Sequence, residues 1–343
     1  MEGVQNVNTE PGVYIEAMQT KIEAQLKASL SHLEFKSTAL LVQMVCHHLG
    51  WITPEASRGK RLRPLLTLLC CDAAGGSWQS ALPAAGAIEW IHNFSLIHDD
   101  IEDRSETRRG RETVWKRWGI AQATNTGDAL FALAHLLTHE LHEQGHDAAT
   151  TLSVQKQLDK ACRDLTIGQH LDLKFEETDG VTEDEYVEMI EGKTAALIAA
   201  SCAIGALTAP SEPSKVALFQ QFGHDLGMSF QIFDDLLGIW GAPEVTGKPS
   251  GDDLRVRKKT LPVIFAINHS DDFQELWDSD EIDDNWVTRM VTSLNRSGAR
   301  EYAEEATQRW TDSALEALTV SEPVEPAASE LIHLTQKLLS REY

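Results

Sequence analysis

Apolar residues recur at three- and four-residue intervals along most of this chain, as in "YIEAMQTKIEAQLKASLSHLE", "TALLVQMVCHHLGW", "EDEYVEMIEGKTAALIAASCAIGAL" and "AREYAEEATQRWTDSALEAL". That spacing follows the turn of an α-helix, whereas the every-second-residue alternation of a half-buried strand is scarce. The pattern predicts an all-α chain of roughly ten or more helices. Gly and Pro gather with polar turn formers at "DAAGGS" near 75, "TAPSEPS" near 210 and "GAPEVTGKPSGDD" near 245, and these mark helix breaks. "TVSEPVEPAASE" reads as the connection between the last two helices, and "DDFQELWDSDEIDDNW" as an acidic surface region. No repeat of fixed period and no low-complexity tract interrupts the pattern.

Charge narrows the functions open to such a chain. Thirty Lys and Arg face 53 Asp and Glu, a formal net charge of −23 over 343 residues. This excludes a nucleic-acid surface and an electrostatic anchor on anionic lipid. It also gives weight to any basic cluster, which in so acidic a chain is placed for an anion. The five cysteines include the adjacent pair Cys70 and Cys71 but no C-x-x-C pattern, and they fit neither a disulfide framework nor a zinc site. A reducing, cytoplasmic setting is expected. The N-terminus carries acidic residues and no apolar run, so residues 1–12 read as a flexible segment without a signal or transit peptide. The longest uncharged stretch, "AALIAASCAIGALTA" at 195–209, falls short of the roughly 20 residues that span a bilayer. It reads as a buried helix, and no transmembrane segment is expected.

Four charged clusters stand out. In "SLIHDDIEDRSETRRGRETVW" an apolar approach leads to Asp99, Asp100 and Asp103, with Arg108 and Arg109 close behind. On a helix Asp99 and Asp103 are one turn apart and share a face, while Asp100 sits about 100° round. Like charges so placed repel, which makes sense if a hard divalent cation lies between them. Mg²⁺ suits that place because it takes oxygen ligands and is shared between one or two carboxylates and a phosphate-bearing substrate. The second cluster, "RGKRLRP", sets Lys60, Arg61 and Arg63 at the start of an apolar run, with Pro64 suited to a first helical turn. A helix N-terminus favours anions, so a phosphate site is expected there. The third, "FQIFDDLLGIWGAPEVTGKPSGDDLRVRKKTLP", repeats the logic: apolar residues end at Asp234 and Asp235, and a Gly/Pro-bearing loop supplies Lys248, Arg255, Arg257, Lys258 and Lys259. The fourth is "EGKTAAL", where Lys193 and Thr194 interrupt an apolar helix. The clusters span residues 59–262, which predicts one domain over 1–343 and chemistry on a metal-bound polyphosphate.

As a set, "GKRLRP", "DDIED" followed by "RRG", "GKT", "FQIFDD" and "GKPSGDDL" followed by "KKTLP" resemble the trans-type isoprenyl diphosphate synthases. The resemblance is good over residues 55–265 and weak in the flanking helices. It implies a single helical domain with a deep central cavity, two aspartate-rich motifs facing each other across its mouth, and a homodimer. It further implies that Asp99, Asp103 and Asp234 bind Mg²⁺ bridged to an allylic diphosphate. Arg108, Lys193, Thr194, Gln231 and Lys248 match positions that hold that diphosphate. Gly59, Lys60, Arg63, His92 and Arg109 match the isopentenyl diphosphate site. Dimethylallyl, geranyl and farnesyl diphosphates are the implied primers. Two positions depart from the family pattern: Gly238 stands where a third aspartate is usual, and Arg257 replaces a glycine.

The implied reaction ionises the allylic diphosphate, joins the cation to the double bond of isopentenyl diphosphate and loses a proton. Product length should depend on what blocks the growing tail. A rise of about 1.5 Å per residue puts Phe94 roughly 7 to 8 Å down the helix from Asp99, with Ser95 beside it. In the family, an aromatic five residues before the motif with a small residue at the fourth accompanies geranylgeranyl diphosphate, whereas aromatics at both accompany the farnesyl product. A terpene cyclase would lack "GKRLRP", and a non-catalytic regulatory subunit would have lost the first motif or its arginines. Both features are intact here.

Overall fold

In a computed structural model of the chain, residues 11–52, 58–243, 250–279 and 284–339 are described. The segment read as a flexible N-terminus therefore lies, up to residue 10, outside the described residues. Helices account for nearly all of what is described, as their periodicity predicts, and the one sheet is a two-stranded hairpin. The chain divides into two compact units, Met1–Leu158 with Ala203–Glu212 and Val324–Glu330, and Asp159–Cys202 with Pro213–Pro323 and Leu331–Tyr343.

In the first unit α1 (Pro11–Ser29), α2 (Ala39–His48), α3 (Leu62–Ala73) and α4 (Leu82–Glu102) precede the hairpin of β1 (Thr107–Arg108) and β2 (Arg111–Glu112). Then come α5 (Val114–Trp118), α6 (Ile120–Glu143) and the start of α7 (Ala148–Glu176). The apolar run that opens α3 has no polar face, and Pro64 to Cys71 are all buried, as expected of a helix enclosed by its neighbours. α4 lies along α6, and its Trp90 is fully buried with its indole N–H donating to Ser29 Oγ at 3.0 Å. That bond satisfies the one polar atom an indole brings into a core.

The second unit takes the rest of α7, then α8 (Glu183–Ile190), a π-helical turn over Glu191–Ala195, α9 (Ala196–Leu207) up to Cys202, and α10 (Pro213–Trp240). A reciprocal capping box at Thr182 and Glu185 starts α8. From Glu183 to Leu207 the helical stretch is longer than the 195–209 run suggests and is long and apolar enough to cross a membrane. However, 72% of its apolar window is buried inside the protein, so it is a core helix, as the small residues indicate. α10 packs along the helix Ala299–Val320, and their shared cluster includes Tyr186, Met228, Ile232, Leu236, Leu261 and Ala303.

Two expectations are corrected. Asp99 and Asp100 do lie in the last turn of α4, but α10 runs on to Trp240, so Asp234 and Asp235 sit within a helix and do not end it. The stretch "DDFQELWDSDEIDDNW" is not simply acidic surface. Phe273, Trp277 and Trp286 are buried in a second core cluster of this unit, while Asp271 and Asp272 open a short helix on which Ser270 caps Phe273 N. Its aromatics carry the packing, and Asp271 and Asp272 lie in the first turn of the helix, where the dipole favours negative charge.

The π turn is set by a close crossing of two backbones. A Cβ on Gly168 of α7 would fall 2.0 Å from Lys193 N, and one on Gly192 would fall 2.6 Å from Asp164 O. Neither position tolerates a side chain. We expect Gly168→Ala to destabilise the protein by at least about 1 to 3 kcal/mol through overpacking, measured by urea unfolding; an unchanged midpoint would show that the crossing is not tight.

Candidate active site

In the first unit the site begins at the end of α4. The Asp103 N–H donates to Asp99 O at 2.9 Å, so these two residues keep the one-turn spacing that puts them on one face. They stand at the helix C-terminus, whose unpaired carbonyls and dipole favour a cation. Asp100 points elsewhere and is buried. The hairpin that follows turns at Arg109 and Gly110, both with positive φ (51° and 73°), the form a two-residue turn takes to match strand twist. It returns Arg108 to the carboxylates: Nη2 donates to Asp99 Oδ2 and Nε to Asp100 Oδ1, each at 2.7 Å. Burial still pushes the Asp100 carboxyl up to about 6.

Arg109 takes a different direction. Its Nη1 donates to Arg58 O at 3.4 Å, and a Cβ on Gly59 would lie 2.7 Å from that same nitrogen. Gly59 has φ +78°, so the absence of a side chain serves both the backbone and the guanidinium above it. Nearby, Arg63 Nη1 and His92 Nε2 are 3.4 Å apart, and Arg63 Nε is buried without a partner. Burial pulls Arg63 down to about 10. Burial, and then the surrounding arginines, hold His92 and His48 well below the usual histidine range. Both imidazoles are neutral at pH 7, surrounded by Arg63, Arg108, Arg109 and Arg111. An arrangement in which cations depress one another's protonation is complementary to an anion of high charge.

Arg61 is a correction to the phosphate-site reading of "RGKRLRP". Its backbone is left-handed (φ 49°) and its side chain is buried: Nε donates to Glu23 at 2.7 Å and Nη1 to Glu89 Oε1 at 2.8 Å. Asn93 Nδ2 donates to the same Glu89 oxygen at 2.9 Å. Arg61 ties α1, α3 and α4 together through two carboxylates.

In the second unit the π turn presents Lys193 and Thr194. Lys193 Nζ is paired with Asp172 of α7, and Thr194 Oγ1 donates to Gln231 Oε1 at 2.6 Å. Gln231 Nε2 donates to Asp235 Oδ1 at 3.1 Å, and the buried Tyr186 hydroxyl donates to Asp235 Oδ2 at 2.6 Å. Lys258 Nζ approaches the same carboxylate at 3.5 Å. Burial opposes the charge on Lys258, but Asp235, Asp253, Asp172 and Asp234 outweigh it and raise its pKa. The aspartate pair thus splits by burial: Asp235 is buried and hydrogen-bonded, while Asp234 is exposed.

Each unit therefore brings together part of the expected set, Asp99, Asp103, Arg108, Arg109, Gly59, Arg63 and His92 in one, and Lys193, Thr194, Gln231 and Asp234 in the other. Lys60 is exposed beside Gly59. Lys248 lies outside the described residues. Sequence reasoning missed Asp172, Tyr186, Glu89 and His48, each a residue on a helix outside the four charged clusters. Lys193 lies in a π turn, a helix defect that is frequent at functional sites.

Residues 52–290 match the polyprenyl synthetase family. The chain belongs to that family. It is 38% identical over 312 residues to the geranylgeranyl diphosphate synthase of Mycobacterium tuberculosis, covering 88% of this chain and 87% of the relative. It is equally 38% identical over 314 residues to a (2E,6E)-farnesyl diphosphate synthase of the same organism, covering 87% and 86%. Among solved structures, the polyprenyl synthetase of Streptomyces coelicolor superposes with a TM-score of 0.87 at 32% identity, over 96% of this chain and all of that one. The protein is an all-α prenyl diphosphate synthase and thus a prenyltransferase.

The two neighbouring arginines of this synthase can be told apart by experiment. We expect Arg61→Met to cost about 3 to 5 kcal/mol, because it leaves Glu89 buried and unpaired. Arg63→Met, which breaks no carboxylate pair, should cost much less in the same thermal melts. Equal losses would refute the division of roles.

Proposed function

We propose that the synthase condenses isopentenyl diphosphate with dimethylallyl, geranyl or farnesyl diphosphate and releases geranylgeranyl diphosphate. The observation that carries this reading is the pairing of a carboxylate face on Asp99 and Asp103 with the cationic cluster of Arg63, Arg108, Arg109 and Arg111 around neutral His48 and His92. A metal and two diphosphates suit that chemistry in a chain of net charge −23.

The donors fit Mg²⁺. Among the described residues no three His, Cys, Asp or Glu side chains form a ready-made cage. Mg²⁺ needs none, since it keeps several waters and takes one or two carboxylates with substrate phosphate. In the structure the Arg108 guanidinium stands as the cation on Asp99. Asp99, Asp103 and Asp234 are the residues proposed to hold the metal, which when bound supplies positive charge to the departing diphosphate.

The chain's own side chains do the rest of the work in this reading. Arg108, Lys193 and Lys248 neutralise the allylic diphosphate as its C–O bond breaks, and Thr194 and Gln231 orient it. Gly59, Lys60, Arg63, His92 and Arg109 hold isopentenyl diphosphate so that its double bond attacks the allylic cation. Loss of a proton then restores the alkene. Fixed charges that meet developing charge in a site shielded from water give the largest share of such catalysis. We expect Asp103→Asn to lower kcat/KM for the allylic substrate on the order of 100-fold, with the thermal midpoint unchanged; wild-type turnover would remove Asp103 from this role.

Product length rests on Phe94. Its ring meets Phe131 of α6 edge-on at a centroid distance of 5.4 Å and His98 at 4.8 Å, while the small Ser95 turns back to bond His92 O. This is the aromatic-then-small arrangement associated with geranylgeranyl diphosphate. Phe94→Ala should lengthen the product, read by chromatography of the dephosphorylated prenols. An unchanged product would discharge Phe94 from this task.

We further propose that the 343 residues act as one catalytic domain and pair with a second copy. Ile120, Phe131 and Leu136 of α6 and Leu152 of α7 are exposed apolar side chains, the kind that a copy would cover. Light scattering should report twice the mass of the chain. Leu136→Glu should shift the protein toward monomer.

A further inference from the structure

Asp225 of α10 is fully buried, and three side chains meet its carboxylate. Gln221 Nε2 and His224 Nδ1 each lie 2.8 Å from Oδ1, and Ser313 Oγ, from the helix Ala299–Val320, donates to Oδ2 at 2.6 Å. Burial opposes the charge on Asp225, but these bonds outweigh it and hold the carboxyl below its usual range. An ionised carboxylate only accepts, so His224 Nδ1 carries a proton and donates it. That leaves the other ring nitrogen, Nε2, facing Glu191 Oε1 at 3.6 Å. A neutral ring would turn a lone pair toward this second carboxylate, whereas an imidazolium offers a donor to each side. The Asp225 hydrogen bond raises the His224 pKa against the effect of burial, and the Glu191 charge adds to the rise. The titratable groups that face the ring are thus Asp225 on its own helix and Glu191 on the π turn. The helix Ala299–Val320 brings Trp310 to it, with a centroid distance of 5.8 Å and the rings edge to face.

The contact matters because Glu191 opens the π turn. Its carbonyl accepts from the Ala196 N–H, the bond that closes the turn, and Lys193 and Thr194 lie between the two. At the far end the turn is set by backbone packing, since a Cβ on Gly227 of α10 would fall 2.6 Å from Ala195 Cα. Gly227 follows His224 by three residues and so shares its face of the helix. α10 therefore holds both ends of the turn, by close approach at Ala195 and by charge at Glu191.

We propose that His224 is a positioning residue: as an imidazolium between Asp225 and Glu191 it holds the first residue of the π turn against α10, and so sets Lys193 for the diphosphate. Because this His224 pKa is raised, the hold is complete below the ordinary histidine value and is lost as pH rises through the raised one. The inference rests on the diphosphate role proposed for Lys193, and the experiment separates the two.

Two readouts are taken on the full-length protein from about pH 6 to 9, the range in which a histidine changes charge. One is KM for geranyl diphosphate at saturating isopentenyl diphosphate. The other is hydrogen exchange of the peptide that contains the π turn. At about pH 6.5, His224→Gln should raise KM about 3- to 5-fold, the size that a partly exposed ion pair supports, and should speed exchange in the turn. The ratio of variant to wild-type KM should then fall toward one as pH rises, since the wild type loses the same charge. His224→Lys, which keeps a charge, should hold KM low across the range. A ratio that stays constant with pH would mark a purely structural role and overturn the proposal, as would exchange that His224→Gln leaves unchanged. Lys193→Gln is the reference. If it raises KM and His224→Gln does not, the positioning role is overturned while the reading of Lys193 stands. If neither raises KM although exchange responds to His224→Gln, the reading of Lys193 fails and the hold on the turn stands.

Discussion

Carboxylates crowded into one helical turn must be neutralised, and in the first unit Arg108 does it. Asp99, Asp100 and Asp103 fall at the C-terminal end of α4, where the helix dipole adds to their mutual repulsion. The hairpin turn at Arg109 and Gly110 is short enough to bring Arg108 back across two of them. One guanidinium bridging two carboxylates is a strong, oriented contact. The same principle sorts the arginines elsewhere in the unit. Arg61 meets Glu23 and Glu89 and becomes part of the core, whereas Arg63 faces a neutral imidazole and makes no carboxylate pair.

The second unit meets the same constraint with the signs rearranged. Asp235 is buried among Tyr186, Gln231 and Lys258, so its charge is spent inside the protein. Burial and then the Asp235 charge hold the Tyr186 hydroxyl well above the usual tyrosine range, so it remains a donor at any pH the protein would meet. The neighbour one residue earlier, Asp234, is exposed. Adjacent aspartates on a helix point about 100° apart, and that angle is what allows one to be buried and the other to reach the surface. Lys193 pairs with Asp172 in a comparable way, on a π turn whose extra residue shifts it relative to a regular helix.

Much of this was legible in the sequence because it is local. Helical periodicity predicted the fold class, and the aspartates, the arginine pair and "GKT" predicted which stretches carry chemistry. What escaped was set by partners distant in sequence. Nothing in "RGKRLRP" says that Arg61 differs from Arg63; the difference lies in Glu23 and Glu89, well separated along the chain. The continuation of α10 past Asp234 was hidden by an analogy with α4, although "LLGIW" carries no strong breaker apart from Gly238. The acidic stretch near 275 misled for a different reason. Charge dominated its composition, while three aromatics decided its packing.

Arg257, the other departure from the family pattern, shows how a substitution can be absorbed by the surrounding packing. Its φ of 52° is left-handed, the region that glycine enters freely and an arginine enters at a cost. A glycine at this position would meet that backbone requirement without strain. Arginine meets that cost by using its side chain: the guanidinium donates to the carbonyls of Trp277 and Ser279 and lies 5.9 Å from the Trp277 ring and 5.6 Å from that of Trp286. Those contacts pin the segment before Lys258 to the second core cluster, and Lys258 is the residue that faces Asp235 and Asp253. A position that looks like damage to the motif in the linear sequence thus becomes an anchor for the lysine beside it. The strain is local, the compensation reaches across some twenty residues to Trp277, and the charge balance around Asp235 depends on both.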